Sequence, residues 1–399
     1  MRLPETMVVP GFRGGGVWCG IKKSGDPDLA IVLSDRPCTS DVLFTRNRVA
    51  AAPVEWGRGL RPRTRSSLRG VIANSGNANA CTGREGLAAV RSVSAETCRA
   101  LGIPDESLLV SSTGVIGVPI PTGRILAAVR GLCASASPSG IPRAGEAILT
   151  TDAYPKRCLR KVRVRGGTVT LGGIAKGAGM IAPGMGTMLA YAFTDAAVRP
   201  PDLRKAFREA VSLSFNRIVV DGDMSTNDTA AIFANGAGGL PPLEGKGLSA
   251  FGDALRGLLL DLALMIVRDG EGATRVVRIA VTGARSSRDA DAAARAVATS
   301  PLVKTAVFGA NLNWGRVIAA VGRAGIEMDP LRARVRYAGE TVLRRGMKID
   351  RQGERRAVPK IRREAYGIDV DLGLGKGSSF VYFSDLGHDY IRINAGYRT

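Results

Sequence analysis

The sequence predicts an α+β protein with more than one domain. Short apolar segments typical of buried strands, such as residues 30–33 and 42–45, alternate along the chain with amphipathic helical segments. The clearest helix is predicted over residues 248–267, where apolar side chains recur at helical spacing. With 399 residues, of which 45% are hydrophobic and 23% charged, the chain has the composition of a globular protein of two or three domains.

Changes in this pattern predict three domains. Residues 1–194 form the main domain, and residues 195–274 form a middle α+β domain whose Gly- and Pro-rich stretch at 235–247 is a candidate hinge. From residue 275 the pattern becomes strand, helix, strand, helix, with residues 303–308 as a strand, which predicts a C-terminal α+β domain over 275–399. The chain is predicted to end on polar residues directly after a strand.

The net charge of +21 raises the question of nucleic-acid binding, because clustered Lys and Arg side chains bind phosphates. The arginines are instead scattered, and the densest runs, at 58–69 and 351–363, lack the interleaved aromatic residues that stack on bases. We therefore predict no nucleic-acid partner, and a basic surface that attracts acidic small molecules. A basic binding protein without catalytic activity is the non-enzymatic alternative.

The six cysteines lie within the first 158 residues without a C-x-x-C pair, and His388 is the only histidine. This composition predicts free thiols and no metal site. Residues 1–10 do not resemble a signal peptide, and no continuous apolar run long enough for a membrane span is present. We expect a cytoplasmic protein with no membrane partner.

A glycine-rich segment near the middle of the chain, residues 176–190 (KGAGMIAPGMGTMLA), leads into one threonine. Thr187 precedes an apolar strand at 188–193, so its hydroxyl is placed where a flexible loop meets the rigid edge of a sheet. Such a position suits a nucleophile that must be held firmly. The alternative is that the glycines form a tight turn and Thr187 only begins the strand.

Two further motifs carry chemical alternatives. In residues 111–117 (SSTGVIG), a hydroxyl beside a glycine just after a strand can present an O–H and an N–H to one oxygen, as an oxyanion hole does. A plain boundary between strand and turn is the other interpretation. Residues 221–229 (DGDMSTNDT) have oxygens at alternate positions, but Thr226 and Ile232 occupy the positions of the glycine and glutamate that a calcium loop needs.

Ten motifs, in the same order, resemble those of the ornithine acetyltransferases, also called glutamate N-acetyltransferases. They are residues 20–25 (GIKKSG), 34–37 (SDRP), 74–83 (NSGNANACTG), 111–117 (SSTGVIG), 150–152 (TTD), 176–183 (KGAGMIAP), 221–229 (DGDMSTNDT), 302–305 (LVKT), 313–316 (NWGR) and 393–394 (IN). The resemblance spans nearly the whole chain. This sequence departs from the family's pattern at four positions. The family has Asn, Ala, Thr and Thr, respectively, where this sequence has Gly184, Gly186, Met224 and Gly387.

The resemblance implies an αββα-type sandwich around a self-cleavage site, with smaller α+β domains C-terminal to it, and makes residues 1–194 the main catalytic domain. It implies that Thr187 cleaves the bond after Gly186, leaving an alpha chain of residues 1–186 and a beta chain of residues 187–399. The freed α-amine of Thr187 then serves as general base, because its unperturbed pKa of roughly 7.7–8.0 lies near working pH. An N-terminal threonine therefore needs no histidine.

The implied reaction moves the acetyl group of N2-acetylornithine to glutamate through an acetyl-threonine intermediate, in the cyclic arginine pathway. The family's oxyanion-hole pair matches Thr113 and Gly114. Its substrate-binding positions match Thr150, Lys176, Thr187, Glu271, Asn394 and Thr399. Lys176 suits a carboxylate and Glu271 an ammonium.

No bound cofactor is expected, and acetyl-CoA is left open as a second donor substrate. The resemblance implies a heterotetramer of two alpha and two beta chains. The alternative enzyme is a self-processing N-terminal-threonine aminopeptidase or amidohydrolase of related fold, which would release the acyl group to water.

Overall fold

The computed structural model describes residues 6–182 and 188–396, so Gly186, Thr187 and Thr399 lie outside the described residues. The strands in this part of the chain are β1 (Phe12–Val17), β2 (Leu29–Ser34), β3 (Thr39–Phe44), β4 (Gly70–Asn77), β5 (Leu108–Val115), β6 (Lys156–Val164), β7 (Gly167–Lys176), β8 (Leu189–Thr194), β9 (Ile218–Val219), β10 (Thr229–Ala234), β11 (Val276–Ala284), β12 (Arg334–Tyr337), β13 (Glu340–Arg344), β14 (Lys348–Ile349), β15 (Ala365–Asp371) and β16 (Gly377–Ser384). The helices are α1 (Ala52–Gly59), α2 (Pro62–Arg65), α3 (Gly83–Leu101), α4 (Thr122–Ser135), α5 (Ile141–Ala147), α6 (Pro200–Ser212), α7 (Gly245–Arg268), α8 (Ser287–Ala298), α9 (Pro301–Phe308), α10 (Trp314–Gly322), α11 (Arg351–Ala357) and α12 (His388–Gly396).

The strands form three sheets. Sheet A has the order β1-β2-β4-β5, sheet B the order β3-β10-β8-β7-β6, and sheet C the order β14-β13-β12-β15-β11-β16-β9. A hairpin turn at Gly166 joins β6 to β7 in antiparallel register, as two strand-like segments separated by Gly166 and Gly167 predict. The predicted helix at 248–267 is confirmed as α7.

Sheets A and B pack face to face. Along β8, Tyr191 and Phe193 belong to the core shared with sheet A, whereas the intervening Ala190 and Ala192 face the opposite side. The rings of Phe12 on β1 and Phe193 on β8 lie 5.3 Å apart across the interface. This alternation is the period-two pattern of a strand buried on both faces.

Helices cover the outer faces of both sheets. Helices α3 and α4 pack on sheet A, and α6 and α7 pack on sheet B. A glycine on β7 permits the close approach of α7, because a Cβ at Gly173 would lie 2.7 Å from Leu258 and 2.8 Å from Leu262. The four layers confirm the predicted αββα sandwich within an α+β protein.

Residues 195–274 differ from the separate middle domain that the sequence predicts. Strand β10 lies inside sheet B, hydrogen-bonded between β3 and β8, and α6 and α7 share one apolar core with β7 and β8. The segment therefore supplies one strand of sheet B and the outer helices α6 and α7 of the sandwich, while its short strand β9 joins sheet C. The Gly- and Pro-rich stretch at 235–247 contains the connection between β10 and α7, residues 235–244, and the first three residues of α7.

Sheet C and helices α8, α9 and α10 surround a core of their own. Two predictions in this region were wrong. Residues 303–308 are helical in α9, because Pro301 occupies its first turn and the Ser300 hydroxyl accepts a hydrogen bond from the Val303 N–H at 3.4 Å. The chain also continues past β16 into helix α12 instead of ending on a polar tail.

A buried lysine of α9 fixes the approach to α12. The Lys304 ammonium donates to the backbone oxygen of Ser384, and the Lys304 carbonyl accepts from the Leu386 N–H at 3.3 Å. Burial lowers the pKa of Lys304 to about 7. These contacts set the start of α12, which brings Tyr390 and Asn394 to the site described below. Among the helices in the described ranges, none combines the length and apolar character that crossing a membrane requires.

Candidate active site

A pocket of about 160 Å³ opens where β5 of sheet A and β7 of sheet B end side by side. Six of the predicted site residues belong to the described part of the chain, and all six line it: Thr113, Gly114, Thr150, Lys176, Glu271 and Asn394. They come from β5, the loop after α5, β7, the turn after α7, and α12. The fold therefore brings together residues that are far apart in the sequence.

Lys176 forms the cationic side of the pocket. Its ammonium donates to the hydroxyl of Thr150 at 2.7 Å and to that of Thr113 at 3.2 Å. Burial lowers the pKa of Lys176, and the Asp152 carboxylate, 3.9 Å away, opposes that shift. A buried ammonium with two neutral hydroxyl partners retains bonding capacity for a carboxylate.

Glu271 forms the anionic side. Its side chain is 8% exposed and accepts a hydrogen bond from the Asn394 amide at 2.8 Å. The Glu271 N–H donates to the carbonyl of Ala178 at 2.9 Å, which fastens the turn after α7 to the chain that follows β7. Gly179 leaves room for the carboxylate, because a Cβ there would lie 2.6 Å from it. A cation and an anion thus face the same cavity.

Thr113 and Gly114 lie at the end of β5, beside Lys176. The Thr113 hydroxyl accepts from the Lys176 ammonium, and no described residue accepts its hydrogen, so the O–H is available to a group in the pocket. Gly114 has φ +133°, a conformation that side-chain-bearing residues rarely adopt. At this end of β5 a hydroxyl and a backbone N–H belong to adjacent residues, and an oxyanion hole requires two such donors.

If Thr113 and Gly114 form an oxyanion hole, Gly114→Ala is expected to lower the stability of the protein and to lower the rate of the reaction at this site by about 10²-fold. The added Cβ would lie 2.3 Å from the carbonyl carbon of Gly76 and 2.5 Å from the N of Asn77, so strand β4 would have to move. Thermal unfolding and steady-state kinetics measure the two effects.

Gly117→Ala is the matched control, because Gly117 also has a positive φ, +79°, but a Cβ added there would meet no atom of the described residues within 4 Å. If Gly117→Ala reduced activity as much as Gly114→Ala, the loss would come from backbone strain alone and not from the displaced oxyanion donor.

Two aspartates hold the chain on both sides of residues 183–187. Asp221 accepts from the N–H groups of Met180 at 2.5 Å and Ile181 at 2.9 Å, and Asp228 accepts from the Met188 N–H at 2.9 Å. Met180 has φ +59°, which its hydrogen bond to Asp221 maintains. Burial raises the pKa of Asp228 well above its ordinary value. The predicted cleavage site at Gly186 and Thr187 falls between these two anchors.

Sequence reasoning gave no role to several residues of the site. Asp221 and Asp228 lie in the motif at 221–229, which the sequence analysis weighed as a calcium loop and matched to the family without assigning a role to either carboxylate. Within residues 6–182 and 188–396 no cluster of three or more His, Cys, Asp or Glu side chains is suitable for a metal ion. Tyr390, which also lines the pocket, was missed because α12 was not predicted. Had that helix been recognised, the spacing of four residues between Tyr390 and Asn394 would have placed both on one face.

Comparison with known proteins identifies the family. The model of the ArgJ family matches residues 13–399. The arginine biosynthesis bifunctional protein ArgJ of Geobacter sulfurreducens is 47% identical over 98% of this chain and 100% of its own length. The ArgJ protein of Symbiobacterium thermophilum is 44% identical over 98% of this chain and 97% of its own. The chain belongs to the ArgJ family.

A solved structure of ArgJ from Bacillus halodurans is 36% identical and covers 51% of this chain and 96% of its own, with a TM-score of 0.49. Membership in the ArgJ family rests on the sequence matches and confirms the predicted resemblance to ornithine acetyltransferases. It also confirms the predicted acyltransferase function in arginine biosynthesis.

Proposed function

We propose that this protein transfers the acetyl group of N2-acetylornithine to glutamate through an acetyl ester on Thr187. The observation that carries the proposal is the pocket itself, in which Lys176, Glu271 and the Thr113–Gly114 pair at the end of β5 surround one cavity. Support comes from Met180, which precedes the segment that contains Thr187 and lines this cavity, and from Met188, which follows that segment and is bonded to Asp228, the residue after the lining residue Asn227.

The first step is self-cleavage. The Thr187 hydroxyl attacks the carbonyl carbon of Gly186, the C–N bond to Thr187 breaks, and the hydroxyl proton passes to the released nitrogen. Water then hydrolyses the resulting ester, which frees residues 1–186 and regenerates the hydroxyl of Thr187. The new α-amine lies on the same residue as the nucleophile, where it accepts the hydroxyl proton during acetyl transfer.

Acetyl transfer then takes two half-reactions. The Thr187 oxygen attacks the acetyl carbonyl of N2-acetylornithine, ornithine leaves with a proton from the α-ammonium, and an acetyl ester remains. The amine of glutamate attacks that ester and restores the free threonine. The Thr113 hydroxyl and the Gly114 N–H stabilise the oxyanion of each tetrahedral intermediate, a contribution of roughly 3–4 kcal/mol for one donor.

The two charged sides of the pocket fit the two substrates. Both carry an α-carboxylate, for which Lys176 is the partner, with Thr150 beside it. Ornithine also carries a side-chain ammonium, for which Glu271 is the partner, and Asn394 orients the Glu271 carboxylate. Thr399 completes the proposed substrate contacts at the end of the chain.

The proposed assembly is a cytoplasmic heterotetramer of two alpha and two beta chains without a bound cofactor. Because the relatives are named bifunctional, a second acetyl donor is worth testing. Acetyl-CoA is the donor to test, as a second substrate of the same threonine.

The test supplies N2-acetylornithine labelled in its acetyl group, together with glutamate, and follows the label by mass spectrometry. The proposal predicts ornithine and labelled N-acetylglutamate in equal amounts, with the parallel reciprocal plots of a ping-pong mechanism. Labelled acetate with no N-acetylglutamate would instead identify the aminopeptidase-like or amidohydrolase alternative. Replacing the donor by labelled acetyl-CoA tests the second activity in the same assay.

A further inference from the structure

A chain of four alternating charges runs beneath the pocket. The Lys156 ammonium lies 2.5 Å from a carboxylate oxygen of Asp269 and 2.6 Å from one of Asp152, whose other oxygen lies 3.9 Å from the Lys176 ammonium. The side chains of Lys156 and Asp152 are completely buried, and those of Asp269 and Lys176 are each 4% exposed. Of these four residues, Lys176 at one end of the chain lines the pocket.

Asp152 connects the chain of charges to the backbone around the pocket. One of its oxygens accepts from Lys156 at 2.6 Å and from the Gly177 N–H at 2.6 Å, while the other accepts from the Thr150 N–H at 3.0 Å. The Asp152 carboxylate therefore binds the backbone of Thr150, whose hydroxyl contacts Lys176, and the backbone of Gly177, the residue after Lys176. Buried carboxylates with this many partners hold their surroundings in one geometry.

Asp269, at the far end of this chain of charges, lies at the start of the turn that carries Glu271. Asp269 ends α7 two residues before Glu271, and it accepts from the Ala153 N–H at 3.0 Å in addition to Lys156. The loop at 150–156 is thus bonded at one end to the Lys176 strand and at the other to the Glu271 turn. The distance between the two charged sides of the pocket depends on this connection.

We propose that Asp152 is a positioning residue, which holds the Lys176 ammonium in place as the carboxylate-binding group of the pocket and ties it to the turn that carries Glu271. The proposal rests on the proposed function, because that function makes Lys176 the partner of the substrate carboxylate. Nothing in it requires Asp152 to touch the substrate.

The charges around Lys176 show what Asp152 contributes. Burial favours the neutral amine, and the groups that oppose it are Asp152 first, then Asp228 and Glu271. Two lysines, Lys156 and Lys22, add to the destabilisation of the cation. Although burial acts against its ionisation, Lys176 and Lys156 hold the pKa of Asp152 at about 2, so it is negatively charged at any working pH.

Removing the charge of Asp152 should therefore make the Lys176 cation dependent on pH. In Asp152→Asn the pKa of Lys176 falls further, so the ammonium is lost as pH rises through the new value and regained as pH falls. Binding of the substrate carboxylate should weaken as the Lys176 ammonium is lost and strengthen as it is regained. In the wild type the carboxylate of Asp152 opposes this fall in the pKa of Lys176.

The experiment measures binding of ornithine to purified, fully processed protein by calorimetry at several pH values. For Asp152→Asn we expect the affinity to be about tenfold or more below that of the wild type near pH 8.5, and to recover towards the wild-type value near pH 6. Affinity equal to the wild type at all pH values, or reduced by the same factor at all of them, would overturn the proposal.

Asp195→Asn is the matched control, because Asp195 is another buried aspartate that does not line the pocket. It directly follows β8, and its carboxylate accepts from the Thr170 N–H at 2.6 Å. Asp195→Asn should leave the pH dependence of binding unchanged. If Asp152→Asn is too unstable to purify, Asp152→Ser makes the same test, since it also removes the carboxylate beside Lys176 and leaves Lys156 in place.

The outcomes separate this proposal from the proposed function. If the wild type transfers acetyl groups and Asp152→Asn binds ornithine without the expected pH dependence, the positioning role fails alone. If the wild type transfers no acetyl group but the variant shows the expected dependence, the acetyl-transfer reaction fails and the positioning role stands.

Discussion

Thr187→Ala is expected to remain a single chain and to lose acetyl transfer by roughly 10⁴-fold or more, because in the proposed mechanism one side chain supplies the nucleophile of both reactions. Without the hydroxyl no N-to-O shift occurs, so the α-amine that serves as general base is not released either. Gel electrophoresis reports the cleavage, and the labelled-acetyl assay reports the transfer.

Thr187→Ser is the control, since it keeps the hydroxyl and removes only a methyl group. It should cleave and transfer acetyl groups, each more slowly than the wild type. Two results would contradict the assignment: cleavage of Thr187→Ala after Gly186, or acetyl transfer by Thr187→Ala within about tenfold of the wild-type rate.

Lys176→Met is expected to raise KM for both N2-acetylornithine and glutamate by roughly 10- to 100-fold, the loss that accompanies removal of one charge-assisted hydrogen bond. Methionine preserves much of the length and apolar volume of the lysine side chain. Asp152 keeps Lys156 as its partner in this variant, 2.6 Å away, so the protein should still fold. Steady-state kinetics with each substrate varied in turn provide the measurement.

Lys161→Met serves as the control, because Lys161 is exposed on β6 and does not line the pocket. It should leave both KM values unchanged. A fall in kcat at unchanged KM for Lys176→Met would show that Lys176 acts on the transition state alone, and the assignment as carboxylate partner would have to be given up.

The sequence predicts those parts of the fold that depend on local pattern. Helix α7 follows from its apolar spacing, and the β6–β7 hairpin follows from Gly166 between two strand-like segments. Strand β10 could not be placed in this way, because its first residue, Thr229, pairs with Phe44 of β3 and Leu189 of β8, both distant in the sequence. Local patterns contain no information about such pairing, so residues 195–274 were predicted as a separate domain.

The candidate site was predicted from motifs and not from periodicity. Thr113 and Lys176 were found because they stand in the family's motifs, and Glu271 was found because it matches a substrate-binding position of the family. The structure places all three around one cavity. The charge chain beneath them was not predicted, since Lys156 and Asp269 are 113 residues apart and neither belongs to such a motif. Buried ion pairs between residues that are distant in the sequence can be recognised only from the folded structure.

The most direct test of the threonine mechanism is the intact mass of the purified wild-type protein, with the N-terminal sequence of each piece. The mechanism predicts two chains, the second beginning Thr187-Met188-Leu189. A folded wild-type protein that stays whole at 41.8 kDa would contradict it, because Thr187 would then have no free α-amine to act as general base.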